Sequence, residues 1–117
     1  MIPKGIIWRF LVKTDVAAFK ALGDPTRQQI VALLAGKDMT IGQVVDHFDM
    51  TRAGVKKHMK LLEAGQLITV KAEGRERINS LNHEGFKSIM QWVAYFDQFW
   101  DDKLDALASL VEQEEQI

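Results

Sequence analysis

At 117 residues, 47% of them hydrophobic and 26% charged, the chain is sized for one globular domain and is too short for two ordinary domains and a linker. It has no cysteine, which excludes disulfides, thiolate nucleophiles and soft metal ligands, and no apolar run approaches the roughly 20 residues that span a bilayer. The formal net charge of −1 hides a division: residues 1–82 hold 13 Lys and Arg against 8 Asp and Glu, whereas residues 83–117 hold 2 against 8, so a basic body carries an acidic tail.

Residues 1–13 place Ile6, Ile7, Phe10 and Leu11 at helical spacing and read as an N-terminal arm that adds a turn or two to a dimer interface, or else as a disordered arm. Trp8 is followed at once by Arg9, so no uninterrupted signal-like apolar stretch forms and a cytoplasmic protein is expected. A short apolar-periodic helix is predicted over 16–22. Gly23 breaks it, Asp24 is placed to cap the next helix, and Pro25 suits its first position, where a missing N–H costs nothing. That helix carries Ile30, Leu33 and Leu34 inward and is expected to stop at Gly36 in a left-handed C-cap.

Thr40 is the next cap, followed by Ile41, Val44, Val45 and Phe48, which predicts about two helical turns ending near Asp49. Thr51 caps a second helix in which Val55, Met59 and Leu62 recur at i, i+4 and i+7 before Gly65 closes it. Two helices so closely joined over 40–64 read as a helix-turn-helix. The period then changes to two. Ile68 and Val70 alternate with Thr69 and Lys71, and Arg75, Arg77 and Asn79 alternate with Glu76, Ile78 and Ser80, predicting a hairpin over 67–81 that turns at Glu73-Gly74 with Arg75 and Arg77 on one face. Beside a helix-turn-helix such a hairpin is a wing.

Asn82 is placed to cap a last helix over 83–113, with Glu84 at the positive end of its dipole. Its stripe of Phe86, Met90, Val93, Phe96, Trp100, Leu104, Leu107 and Val111, flanked by Ile89, Trp92, Phe99 and Leu110, covers nearly half the circumference. So broad a face suits two contacts, one with its own domain and one with a second chain, and these residues are read as a dimerisation surface. Clustering of Trp92, Tyr95, Phe96, Phe99 and Trp100 is read as core in preference to a small-molecule pocket. The expected fold is therefore mainly α with a small β-hairpin: one winged helix-turn-helix domain with a long C-terminal dimerisation helix.

On the helix after Thr51, Lys56, Lys57 and Lys60 occupy the side opposite Val55, Met59 and Leu62. A merely solvated face is the bland alternative, but the context of a helix-turn-helix followed by arginines in a hairpin favours contact with phosphates, whose neutralisation releases counterions. Arg52 in the first turn is the first choice for reading a base edge, since a guanidinium takes guanine O6 and N7 with two parallel hydrogen bonds. The DNA-facing set is Thr40, Gln43, Thr51, Arg52, Lys56, Lys57, His58, Lys60, Arg75 and Arg77. His58, at the border of the two faces, meets either a phosphate or the edge of the core. Gly54 either lets DNA approach the backbone or is tolerated at a cost of up to about 1 kcal/mol relative to Ala. His47, His58 and His83 lie on separate elements and share no ligand spacing, and no nucleophile, base and carboxylate stand in a catalytic pattern, so neither a metal site nor an enzyme is expected.

The run Ala21-Leu22-Gly23-Asp24-Pro25-Thr26-Arg27-Gln28-Gln29-Ile30, the segment Thr40-Ile41-Gly42-Gln43-Val44, the segment from Met50 through Lys57-His58 to Glu63-Ala64-Gly65 and the wing Glu73-Gly74-Arg75 resemble the ArsR/SmtB family of small bacterial repressors over residues 16–82. The resemblance implies a homodimer on a palindromic operator, with the recognition helix in the major groove, the wing near the minor groove or backbone, and release on binding of an effector, a small molecule among the options. Where the family often has Gln, Pro and Ser in the recognition stretch, this chain has Arg52, Ala53 and Lys56. Where metal-sensing members carry Cys-x-Cys, it has Thr40 and Gly42, and it has no histidine after His83, so no metal or other cofactor is expected. The function read from the sequence is a sequence-specific DNA-binding transcriptional repressor; the alternative is a winged-helix interaction module whose lysines dock an acidic partner.

Overall fold

A computed structural model describes residues 16–115; the arm read at residues 1–13 lies outside them. Two short helices, α1 (Val16–Leu22) and α2 (Pro25–Gly36), meet at Asp24, whose side chain accepts from the Arg27 N–H at 3.1 Å with Pro25 at the first helical position. A two-residue strand β1 (Met39–Thr40), which the sequence pattern does not announce, leads into α3 (Ile41–Val45). Then come α4 (Arg52–Ala64), the strands β2 (Ile68–Glu73) and β3 (Glu76–Leu81), and the 33-residue α5 (His83–Glu115).

The sheet is antiparallel in the order β1-β3-β2, with Met39 opposite Asn79 and Ile68 opposite Leu81. Two residues are too few to show a periodicity, so β1 depends on a tertiary partner: the buried Asn79 donates from Nδ2 to the Met39 carbonyl at 3.1 Å. The core is a single cluster in which Ala18 and Ala21 of α1, Ile30 and Leu34 of α2, Val44 of α3, and Val55, Met59 and Leu62 of α4 close over Met39, Leu67 and Ile68.

Three local expectations are corrected. α3 ends at Val45 rather than near Asp49. The His47 ring takes the Gln43 carbonyl at 2.9 Å, while the N–H groups of His47 and Phe48 turn back to Val44 and Val45, each at 3.0 Å, which winds the chain tighter than an α-helix and ends it. Gly36 is the last residue of α2, and the chain leaves through an extended Lys37 instead of a left-handed cap. Gly65 caps α4 as read, and the residue after it, Gln66, is left-handed with φ of 61°. The N–H of Gln66 reaches Glu63 at 2.9 Å and that of Leu67 reaches Leu62 at 3.0 Å, the two bonds of a Schellman motif. Gly65 is needed for space: a Cβ there would stand 2.9 Å from the Ala17 carbonyl oxygen, so α1 lies directly on this turn. The hairpin turns at Gly74-Arg75, one residue later than read, with Glu73 opposite Glu76. Gly74 has φ of 61° and Arg75 is not in that region, which suits a type II′ connection. Arg75 therefore sits in the turn and does not share a strand face with Arg77.

Asn82 caps α5 as read, its Oδ1 accepting from the Glu84 N–H at 3.2 Å. Gly85 is buried against the Gln66 carbonyl, which any β-carbon would strike. Phe86, assigned to the dimerisation stripe, packs with Ile89 on its own core, because it lies in the first turn where α5 crosses the body. One turn further on, Trp92 meets Phe19 of α1 edge to face at 5.4 Å. Beyond this the helix leaves the body: the radius of gyration is 19.4 Å, against about 13 Å for a compact domain of about 100 residues. Along the projecting part Met90, Val93, Trp100, Leu104, Leu107 and Val111 are all exposed, and Phe96 is shielded by the rings of Trp92, Tyr95 and Phe99. Among the described residues no helix is long and apolar enough to cross a membrane.

Candidate nucleic-acid interface

Thr51 sets the start of α4, its hydroxyl accepting from the Gly54 N–H at 3.1 Å. A Cβ on Gly54 would stand 3.2 Å from that hydroxyl and 3.4 Å from Cε of Met50, so the glycine makes room for the cap. The buried side of α4 is Val55, Met59 and Leu62, as the spacing predicts. Arg52, Lys56, Lys57 and Lys60 are exposed on the remainder, and none of them is ion-paired among the described residues. Arg52, Lys56 and Lys60 follow one another at i, i+4, a like-charge spacing that costs a helix about 0.2–0.5 kcal/mol per pair. The first turn of α4 has no acidic residue to offset the positive end of its dipole. The helix thus concentrates positive charge at a cost to its own stability.

Between α4 and the wing runs a concavity of about 690 Å³, lined by Thr40, Arg52, Lys56, Lys60, Arg75 and Arg77 together with Glu63, Glu76 and Asn79. Its floor is set by the strand register. Val70 lies opposite Asn79, and Arg77 follows Asn79 on the same face at the open end. Five cations against two carboxylates leave this groove electropositive. The structure brings Arg52, Lys56, Lys60, Arg75 and Arg77 together; Lys57 points outward beside the groove.

Besides Thr51, three more assigned residues are engaged within the chain. Thr40 and Gln43 form a reciprocal capping box, the Gln43 N–H donating to the Thr40 hydroxyl at 3.2 Å and the Thr40 N–H donating to Oε1 of Gln43 at 2.9 Å. His58 faces neighbours that neither of its two readings named: its Nδ1 lies 3.2 Å from Nη1 of Arg27 and 3.8 Å from Oδ2 of Asp24. The Arg27 N–H bonded to the Asp24 carboxylate holds that group below the ordinary carboxylate range; burial opposes this, and the Arg27 and His58 charges add to it. The Asp24, Arg27 and His58 cluster was missed because Asp24 explained itself as a cap and nothing in local spacing links Arg27 to a residue 31 positions on.

A helix pair, its exposed cationic second helix and a hairpin flanking that helix define a winged helix-turn-helix DNA-binding protein. A family model described as a helix-turn-helix domain matches residues 22–71. The transcriptional repressor SdpR of Bacillus subtilis is 33% identical over 86 residues, covering 74% of this chain and 96% of that protein. The crystal structure of an ArsR family transcriptional regulator superposes with a TM-score of 0.67 at 28% identity, covering 76% of this chain and 92% of the other. The solution structure of a homodimeric winged helix-turn-helix DNA-binding domain from Mycobacterium bovis shares the fold, with a TM-score of 0.58 at 18% identity over 85% of this chain and 91% of that one. The chain belongs to the ArsR family of winged helix-turn-helix transcriptional regulators. It is a regulator, not an enzyme.

Proposed function

We propose that this regulator is a repressor that binds a palindromic operator as a homodimer and acts by excluding polymerase from a promoter. The observation that carries the reading is the cationic surface, without ion pairs among the described residues, running from the first turn of α4 through the groove to the wing tip. Lysines and arginines without carboxylate partners are free to replace the counterions of a duplex. In this reading α4 enters the major groove, Arg52 reads a base edge, and Lys56, Lys57, Lys60, Arg75 and Arg77 hold phosphates.

The dimer is supported by the uncovered stripe from Met90 to Val111, an apolar area that a soluble monomer rarely leaves open. SdpR is named a repressor, and the Mycobacterium bovis domain is named a homodimer. Selection of duplexes from a random pool by the purified protein tests both parts. An enriched inverted repeat, with half-sites about 34 Å apart centre to centre, is the expected result. Salt-sensitive binding to heparin and acidic proteins with no duplex enriched would replace this reading with an acidic protein partner.

A further inference from the structure

The Arg27 guanidinium ties three helices together. Its Nε donates to the Ala21 carbonyl at 2.6 Å and its Nη2 to the Lys20 carbonyl at 3.2 Å, both at the end of α1, while Nη1 reaches Nδ1 of His58 on α4 at 3.2 Å. A guanidinium has donors only, so Nδ1 is the acceptor and the proton of the neutral ring sits on Nε2. The same Nδ1 stands 3.8 Å from Oδ2 of Asp24, an ionised carboxylate with acceptors only. One atom thus faces a donor and an acceptor, and its own proton decides which of them it engages. The ring is 22% exposed, so a proton has access to it.

We infer that His58 is a positioning residue whose protonation transfers it from Arg27 to Asp24, making sequence discrimination by α4 dependent on pH. The inference rests on the DNA-binding reading above. With a neutral ring, α4 is tied through Arg27 to the end of α1. With a charged ring, imidazolium and guanidinium repel, the tie is lost, and the ring moves toward the carboxylate that caps α2. The charged groups facing the ring are Asp24, the N-cap of α2, and Arg27 in its first turn. α1 offers main-chain carbonyls to the same guanidinium, and on α4 the neighbouring Lys57 points to the exposed side. Base contacts depend on the placement of the helix, whereas long lysines follow phosphates through a small shift. Discrimination therefore falls on acidification while affinity for random sequence does not.

The test uses the full chain, the duplex recovered by selection and a shuffled duplex of the same composition, with affinities measured between about pH 5 and pH 8. The ratio of the two affinities is expected to drop about tenfold toward the acid end, with shuffled-duplex affinity held or raised. His58→Asn, whose Oδ1 accepts from Arg27 without titrating, should keep the high ratio and lose its pH dependence. Nitrogen NMR of the free wild-type chain at the alkaline end should show the Nε2–H tautomer at His58. A flat ratio in the wild type, an unchanged slope in His58→Asn, or the Nδ1–H tautomer overturns the inference. If the asparagine variant does not fold, the wild-type ratio and tautomer decide. Duplex binding with a flat ratio sinks this inference alone; no duplex binding at any pH sinks the DNA reading with it.

Discussion

Arg52 and Lys57 stand on one exposed surface of α4 and are expected to do different work. Arg52→Ala should lose discrimination at one base position, about 1 to 3 kcal/mol, whereas Lys57→Ala should weaken all sequences alike and flatten the salt dependence. Equal losses on specific and random DNA for Arg52→Ala would refute that division. Asp24 carries a prediction about pH. Its carboxyl titrates lower in the folded chain than in the unfolded one, so its stabilising effect is complete above the unfolded value and disappears as pH falls through the folded value. The melting-temperature advantage of wild type over Asp24→Asn should therefore shrink on acidification below the carboxylate range. An advantage independent of pH would remove the charge from the account of this cap. These residues also show how legibility divides: Thr51, Asp24 and Asn82 declare themselves as caps because capping is local, whereas Arg27 and His58 meet only through the fold.

The helices were readable where periodicity and a cap agreed, as in α4, whose inward and outward sides the spacing separated. They were misread at their ends, where single hydrogen bonds decide. The bonds made by His47 and Phe48 shorten α3, and α2 leaves through an extended Lys37 where a left-handed Gly36 was expected. β1 and the shifted hairpin turn escaped for the same reason, since both follow from pairing with β3. The junction of α4 and β2 yields a direct test. Gln66 holds φ of 61° with its side chain exposed, so Gln66→Gly relieves the left-handed strain without removing a contact. It should stabilise the chain by about 0.5–1 kcal/mol, read as a higher melting temperature. A lower melting temperature would mean that the glutamine side chain contributes more than its backbone costs.

At the scale of the molecule, positive and negative charge are segregated. The winged body carries the cations, and the projecting helix carries Asp97, Asp101, Asp102, Asp105, Glu112, Glu114 and Glu115 beside an exposed apolar stripe, a division that fits the proposed dimer with α5 held off the duplex. Leu107 is 57% exposed in the protomer, so Leu107→Glu should leave each domain folded while halving the mass in sedimentation and abolishing tight binding to the inverted repeat. A dimer that survives this change would move the twofold contact elsewhere.

The way α5 is rooted has a mechanical consequence. Phe86, Ile89 and Trp92 anchor its first turns to the body, and from Val93 to Glu115 it runs on for roughly 35 Å as a lever. A tilt of about 5° at that root swings the far end by about 3 Å, close to the roughly 3.4 Å rise of one base pair. Were two chains to pair along these levers, as proposed above, a slight repacking beneath Trp92 would alter the distance between their α4 helices.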